Sequence, residues 1–528
     1  MTAARERLAL GLITALAAGL LLFRLGAPIL WDDEAETALL ARNVLRFGWP
    51  RATGGDRGVI SQQCGADYEA TSGRWNRHPW GAISLTAASF AILGETPFAA
   101  RLPHALLALA TVPATAFLAR RFGMSRRAAN LPALLLTLSI TFAPYGRQCR
   151  YHAMTLLGGT LALAALPALR EARWKREAGL LAVGLLLLLE ASYLAFAAVF
   201  AGLAFAGPIL LSDAAARRRL GATLALAALA ALPLLGIQGF FSGLATQAEQ
   251  TGHFFSKLGN YLLKLDLFFL PLPLLLLAAL AARVCPKPAP PVFPHAGRVT
   301  SFLILFLLIN LVVVSASTVA FSRYLAHLAP ACAILSAWAL LTIGRASKLA
   351  AALLGILLVG SAFLNGWLAR AVGPPQARTL APFPWARLGA ELIRPRPGPM
   401  TQLADYLNHH ATPNATVFIT HGDLPLRVHT RLRILGGESG EDLRGAPPPD
   451  WIVWRAFFRM RPRTAAVRED QARMRADLAA IPWETYERVA FAPEDRVWDN
   501  NPEPELRLLA SPRTFGQIHI YRRIPTAQ

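Results

Sequence analysis

The sequence predicts a polytopic α-helical membrane protein: about eleven transmembrane helices, a long first external loop over residues 31–100, and a small extracytoplasmic α/β domain at the C-terminal end. Three observations predict it. Hydrophobic residues make up 54% of the 528-residue chain and the mean hydropathy is +0.39, too apolar for a water-soluble protein of ordinary composition. Apolar runs of about twenty residues, the length that crosses a bilayer core, recur as far as residue 370. Beyond that point the composition turns to proline, arginine and mixed polar residues, which marks a boundary between a membrane domain, 1–370, and a second domain, 371–528.

The formal charge of +21 is a topology signal, because Lys and Arg sit in short clusters between apolar runs, as the positive-inside rule describes. It therefore gives no reason to expect a nucleic-acid partner. The four cysteines, Cys64, Cys149, Cys285 and Cys332, form neither a zinc pattern nor a CxxC pair. Cys64 and Cys149 are both expected outside, where a disulfide between them is conceivable.

Taken in order, the first span follows Arg5 and Arg7, and is read as uncleaved. Residues 31 onward are then outside, and the cluster Arg120, Arg121, Arg126, Arg127 is inside. An odd number of crossings must separate them. The apolar segment at 79–95 is short and punctuated by Ser84, Thr86 and Ser89, so it is read as an in-plane or re-entrant helix, and 102–119 as the second span. Residues 129–145 rise to an external turn, YGRQCRYH, and 152–169 descend. A hairpin over 178–211 places Glu190 near its outer turn. Residues 220–241 rise to an external loop at 242–260; 261–282 descend to a proline-rich inside loop with Arg283, Lys287 and Arg298; 299–320 rise again to FSRY. The chain then descends through 325–343 and rises through 349–369, which leaves the C-terminal region outside. There a helix at 402–408, strands at 416–420, 451–454 and 517–523, and a helix at 464–480 read as an α/β alternation after an irregular linker at 374–399. The Asn414-Ala-Thr416 sequon is read as accidental.

One stretch carries chemistry. Trp31 to Trp49, WDDEAETALLARNVLRFGW, sets Asp32, Asp33, Glu34 and Glu36 immediately after the first span. Acids beside a bilayer are costly unless paired, and mark a functional site by default. The stripe Leu40, Ala41, Val44, Phe47 predicts a helix that lies on the membrane surface. These acids suit a general base, divalent-cation ligands (Asp33 and Glu34), or both. Parity puts several basic groups in the same layer: Arg74, Arg77 and His78, the pair Arg147 and Arg150 with Tyr151, and Arg323 with Tyr324. Lys264 and Asp266 lie near an outer helix end, where they pair or face the site. Guanidinium groups there suit a lipid phosphate, whose oxygens they grip two at a time.

The order of these features resembles the GT-C membrane glycosyltransferases, in particular the bacterial branch related to protein O-mannosyltransferases and to the aminoarabinose transferase that modifies lipid A. The likeness rests on DEAETALLARNVLRFG from Asp33, on Arg77-His78-Pro79, on LGETPFAARLPHAL from Leu93 to Leu106, on the turn with Arg147, Arg150 and Tyr151, and on the RYL element from Arg323 to Ala331. It covers about the first 370 residues. Thr37 stands where the family usually has tyrosine, Arg77 where it has lysine, and Tyr151-His152 where several relatives place a second aspartate.

The resemblance implies inverting transfer of a monosaccharide from a polyprenyl phosphate carrier to an acceptor hydroxyl, on the outer side of a bacterial inner membrane and among its lipids. Asp33 is then the base, Glu34 orients it or binds a cation, and Arg77, Arg323, Arg150 and Lys264 stabilise the leaving phosphate. The competing reading is a transporter or flippase of a phosphorylated lipid, which predicts paired charges deep in the spans and symmetry between halves. Only Glu190 stands out as a deep charge, and no repeat is visible.

Overall fold

A computed structural model describes residues 2–243, 253–284, 295–373, 383–394, 398–439, 441, 443, 446–455, 465–496, 501, 503–504 and 514–525. Helix α1 (Thr2–Leu22) leads to α2 (Asp32–Phe47), so the acidic cluster does form a helix N-terminus. Acids in a first turn face the unpaired N–H groups and the positive end of the helix dipole. Gly48 closes α2 at φ 82°, its N–H returning to the Val44 carbonyl, a left-handed cap that suits glycine. An irregular stretch follows, then the short apolar α3 (Gly81–Leu93) and α4 (Pro97–Arg121), which Thr96 caps through the Ala99 N–H.

The bundle continues with α5 (Arg126–Thr137), α6 (Phe142–Gly146), α7 (His152–Ala165), α8 (Trp174–Ala191), α9 (Tyr193–Leu210) and α10 (Ala214–Ile237). Ser192 ends α8 and caps α9, which makes the expected hairpin. Next come α11 (Phe254–Phe268), α12 (Leu272–Val284), α13 (Ala296–Val314), a 3₁₀ turn over Ser322–Leu328, α14 (Ala329–Ala346), α15 (Lys348–Gly360) and α16 (Trp367–Val372).

Among the described residues six helices are long and apolar enough to cross a membrane, or seven if α11 and α12, bent by 70°, form one broken span. This is fewer than the eleven apolar runs of the sequence, because several runs are interrupted. Helix α1 opens on Arg5, Glu6 and Arg7, α5 stops at Leu138, α8 opens on the charged turn WKRE, and α15 is thirteen residues. Asp266 fixes the α11–α12 break by accepting the Leu272 N–H at 2.9 Å and the Leu368 N–H at 2.8 Å. Parts of the expected 242–260 loop, the proline-rich loop with Lys287 and Cys285, and part of the 374–399 linker lie outside the described residues.

The C-terminal region contains α17 (Pro384–Ile393), α18 (Pro399–His410), β1 (Thr416–Ile419), α19 (Asp423–His429), β2 (Arg433–Gly436), β3 (Trp451–Trp454), α20 (Ala465–Ala479), β4 (Tyr486–Val489) and β5 (His519–Arg523). The strands form one sheet in the order β2-β1-β3-β5-β4. Strand β1 runs parallel to β2 and β3, while β5 runs antiparallel to β3 and β4. Leu403 and Leu407 of α18 cover one face of the sheet, Met474 and Leu478 of α20 the other. Sequence reading found the three inner strands and the two helices, but missed β2 and β4. Those are the four-residue edge strands, RILG and YERV, too short and too charged to show an apolar run.

This sheet domain sits on the segment that follows α1. The Leu30 N–H donates to His429 Nε2 at 3.0 Å, and Arg427 donates to the Arg57 and Val59 carbonyls at 2.9 and 2.8 Å. Helix α2 is therefore not a surface helix. Its Leu39 and Leu40 share a core with Ile83, Ala87 and Phe90 of α3 and with Leu424 of α19.

Candidate active site

The charged side chains expected in one layer meet in a continuous chain of contacts. His78 Nε2 lies 2.9 Å from Glu36 Oε1, and the same oxygen accepts from Arg150 Nη1 at 2.9 Å. Arg150 Nη1 also donates to the Asp33 carbonyl and to Thr37 Oγ1, each at 3.0 Å, and its Nη2 stands 3.6 Å from Asp33 Oδ2. Arg323 Nη1 reaches that Oδ2 at 3.3 Å from the other side. Arg323 Nε lies 3.6 Å from Glu503 Oε1, and Ser322 Oγ donates to the other Glu503 oxygen. Acids and arginines alternate from Glu36 to Glu503, so each buried charge has a counter-charge beside it, the condition for burying charge at all.

Asp33 is the centre of this chain. Both arginines address its Oδ2, and among the described residues Oδ1 accepts no hydrogen bond. The side chain keeps 11% of its surface exposed. The rings of Phe321 and Trp31 lie 4.1 and 5.8 Å from the Arg323 guanidinium carbon, and the ring of Tyr151 lies 5.7 Å from that of Arg150. Glu36 is burdened by burial, but the His78 hydrogen bond and the nearby Arg150 outweigh it and hold the carboxyl down at about 2.

Other predicted residues go elsewhere. Glu34, expected to act with Asp33, is fully buried. Arg101 grips both its oxygens, at 2.8 and 2.6 Å, and the Cys149 N–H donates to it at 3.1 Å. The same guanidinium gathers the Leu25, Pro28 and Ile29 carbonyls. Glu34 thus anchors α2 to α4, with both of its carboxylate oxygens on Arg101. Among the described residues no cluster of three or more His, Cys, Asp or Glu side chains is arranged to hold a metal ion.

Arg147 donates to the Leu20, Leu21 and Phe23 carbonyls at 2.9, 3.0 and 2.9 Å, so it caps the end of α1 instead of awaiting a phosphate. Arg77 stands 3.4 Å from Asp67, whose carboxylate also orders the loop through Ser61 Oγ and the Gln62 N–H. Lys264 is half-buried on α11, and its neighbour Asp266 serves the helix break described above. Glu190 accepts from Gln238 Nε2 at 2.9 and 3.0 Å, tying α8 to the end of α10. Tyr324 is half-buried against Phe321. Cys149 and Cys64 are not joined, since the Cys149 thiol is buried against the Glu34 carbonyl, 3.6 Å away.

Asp32 turns from the chain toward the sheet domain. Burial lifts its carboxyl to about 7, against the pull of Arg455 and with help from Asp423 and Asp33. The folded chain therefore holds this proton more tightly than the unfolded chain does. The contribution to stability is complete below about pH 4 and is lost as pH rises through 7. Asp32→Asn is expected to stabilise the protein by roughly 2–4 kcal/mol at pH 8 and by nothing measurable at pH 4. Thermal unfolding at the two pH values checks this, and an equal effect at both would refute it.

Two participants escaped sequence reading. Arg101 lay inside the family-like LGETPFAARLPHAL but carried no separate signal. Glu503 stands between two prolines, far from Arg323 in sequence, where no pattern announces a partner.

No protein-family model and no curated protein sequence matches the chain. Solved structures do. ArnT from Cupriavidus metallidurans bound to undecaprenyl phosphate superimposes with a TM-score of 0.57 at 15% identity, covering 97% of this chain and 97% of that one. The same protein in the apo state gives 0.55 at 14% identity, with 98% of each chain covered. At such identities the likeness speaks of architecture. Over nearly its whole length, this multi-pass membrane chain has the fold of ArnT.

Proposed function

We propose that the protein is an inverting glycosyltransferase that moves a monosaccharide from a polyprenyl phosphate carrier to an acceptor hydroxyl on the outer side of the membrane. The observation that carries this reading is Asp33: one carboxylate oxygen is held by two arginines while the other is left for a substrate proton. In this reading Oδ1 takes the proton of the acceptor hydroxyl as its oxygen attacks the anomeric carbon. The bond to the lipid phosphate breaks on the opposite face of the sugar, and the departing oxygen gains negative charge. Arg323 and Arg150 are already desolvated there, so their field acts on that charge at little cost in reorganisation. Arg77, which stands 3.4 Å from Asp67, is a further candidate to meet that charge. Glu36 holds Arg150 in place, and Glu503 does the same for Arg323.

The fold shared with a protein solved on undecaprenyl phosphate supports a lipid-borne donor. The sugar, which decides between hexosyl and pentosyl transfer, is open to a direct test. Purified protein is incubated with a panel of polyprenyl phosphate sugars and a lipid extract as acceptor source, and free lipid phosphate is measured. Release with one donor is expected; release with none across the panel overturns the proposal.

The outer-side assignment has its own check. Reporter fusions after residues 97, 124 and 400 are expected outside, inside and outside the inner membrane, respectively. A fusion after 124 that reports outside would break the parity on which the sidedness rests.

A further inference from the structure

A groove runs along α15 that the proposed reaction does not use. Helix α14 is buried over most of its length, whereas no residue of its neighbour α15 is fully buried. Between α5, α14 and α15 lies a cavity of about 920 Å³. Leu131, Leu134 and Leu138 of α5 form one wall and Ala351, Ala352 and Gly355 of α15 the other. The small residues create the space. A Cβ placed on Gly355 would meet only a Leu340 methyl, at 3.8 Å, and one on Gly360 would meet nothing within 4 Å. Thirteen residues of α15 give a groove of about 20 Å, longer than one leaflet of roughly 15 Å.

One end of this apolar groove is strongly basic. Arg345 and Lys348 line it directly. Ala128, near the start of α5, lines the cavity with Arg345 and Lys348, whereas Leu135 and Leu138 lie with Ala329 and Ser361 at the opposite end, so α5 begins toward the basic end with Arg126 and Arg127. The three helices contribute Arg126, Arg127, Arg345 and Lys348 to this region and no Asp or Glu.

We propose that the groove binds an anionic diacyl phospholipid, one acyl chain lying between α5 and α15 and the phosphate resting at the Arg345 and Lys348 end. The apolar walls accept a chain, but chains alone do not distinguish lipids. The cationic end does, because a net negative headgroup is attracted while the ammonium of a zwitterionic one is not. The site is independent of the transfer reaction, since parity sets this basic end on the face opposite Asp33.

The test uses the full-length protein in detergent. Native mass spectrometry measures retention of phosphatidylglycerol and phosphatidylcholine with the same acyl chains, with undecaprenyl phosphate as competitor. Each basic residue beside a phosphate is worth about fivefold in affinity, so phosphatidylglycerol is expected to bind at least about tenfold more tightly. In Arg345→Ala/Lys348→Ala that preference is expected to vanish while weak binding of both lipids remains. In Gly355→Leu, which fills the groove, both lipids are expected to weaken together. Thermal unfolding of each variant checks that the fold is kept; the double charge variant alters only exposed side chains. Equal retention of the two lipids by the native protein overturns the proposal, as does a preference that survives the double substitution. Displacement of phosphatidylglycerol by an equimolar amount of undecaprenyl phosphate would give the groove to the carrier instead.

Discussion

Asp33→Asn is expected to leave a folded protein whose release of lipid phosphate falls by about 10²- to 10⁴-fold, the range a positioned general base supplies. Asparagine keeps the size of the side chain and an oxygen that Arg150 and Arg323 can still address. It cannot take up a proton at neutral pH. The loss should therefore appear in turnover, with thermal stability close to that of the native protein. Asp32→Asn is the matched control, since that side chain faces Arg455 and the sheet domain, and it should keep its activity. Full turnover in Asp33→Asn, or equal losses in the two variants, would remove Asp33 from the role of base.

The largest effect on stability is expected at Arg101. The residue is 3% exposed, and its guanidinium holds both oxygens of the fully buried Glu34 and collects three carbonyls. Arg101→Ala strands a buried carboxylate, a defect of about 3–5 kcal/mol, and leaves the carbonyls short of donors. A sharply lowered Tm, or a chain that no longer reaches the membrane intact, is the expected outcome. Pairing Arg101→Leu with Glu34→Leu removes both charges, so part of the loss should return, because an apolar pair avoids the unpaired ion. A Tm for Arg101→Ala equal to the native value would show that Glu34 is held by something other than this contact.

The meeting of Asp33, His78, Arg150 and Arg323 in one layer was legible before any coordinates, for a physical reason, whereas Glu36 read only as a residue of the helix face and yet joins His78 to Arg150. Charges in an apolar chain collect at span ends, and the parity of crossings then sorts those ends into two layers. Within a layer the same logic could not separate residues that face the cavity from those that close backbone. Arg147 and Arg150 are three apart in one turn, yet Arg147 spends its donors on the carbonyls at the end of α1. Asp33 and Glu34 are adjacent, and consecutive positions on a helix point about a quarter-turn apart. One therefore faces the arginines of the site and the other faces α4. Glu503 was out of reach because its partner is fixed by how the sheet domain docks.

The span count followed the same division: the apolar runs were visible, but helix breaks depend on tertiary partners. Asp266 shows this. The sequence offers its carboxylate a pairing with Lys264 or a place at the site, and in the fold it accepts N–H groups from two other segments.

The Arg101 clamp bears on how such enzymes can be re-engineered. One side chain on α4 binds the exit of the first helix and the helix that carries Asp33 together, so residues 25–34 and position 101 form a single structural part. A chimera that exchanges the first external loop between relatives, in search of a new donor or acceptor, would need to carry both pieces from the same parent. Splicing at the apparent loop boundaries would set one parent's arginine against the other's acid, and the grafted site would lose its footing before its specificity could be read.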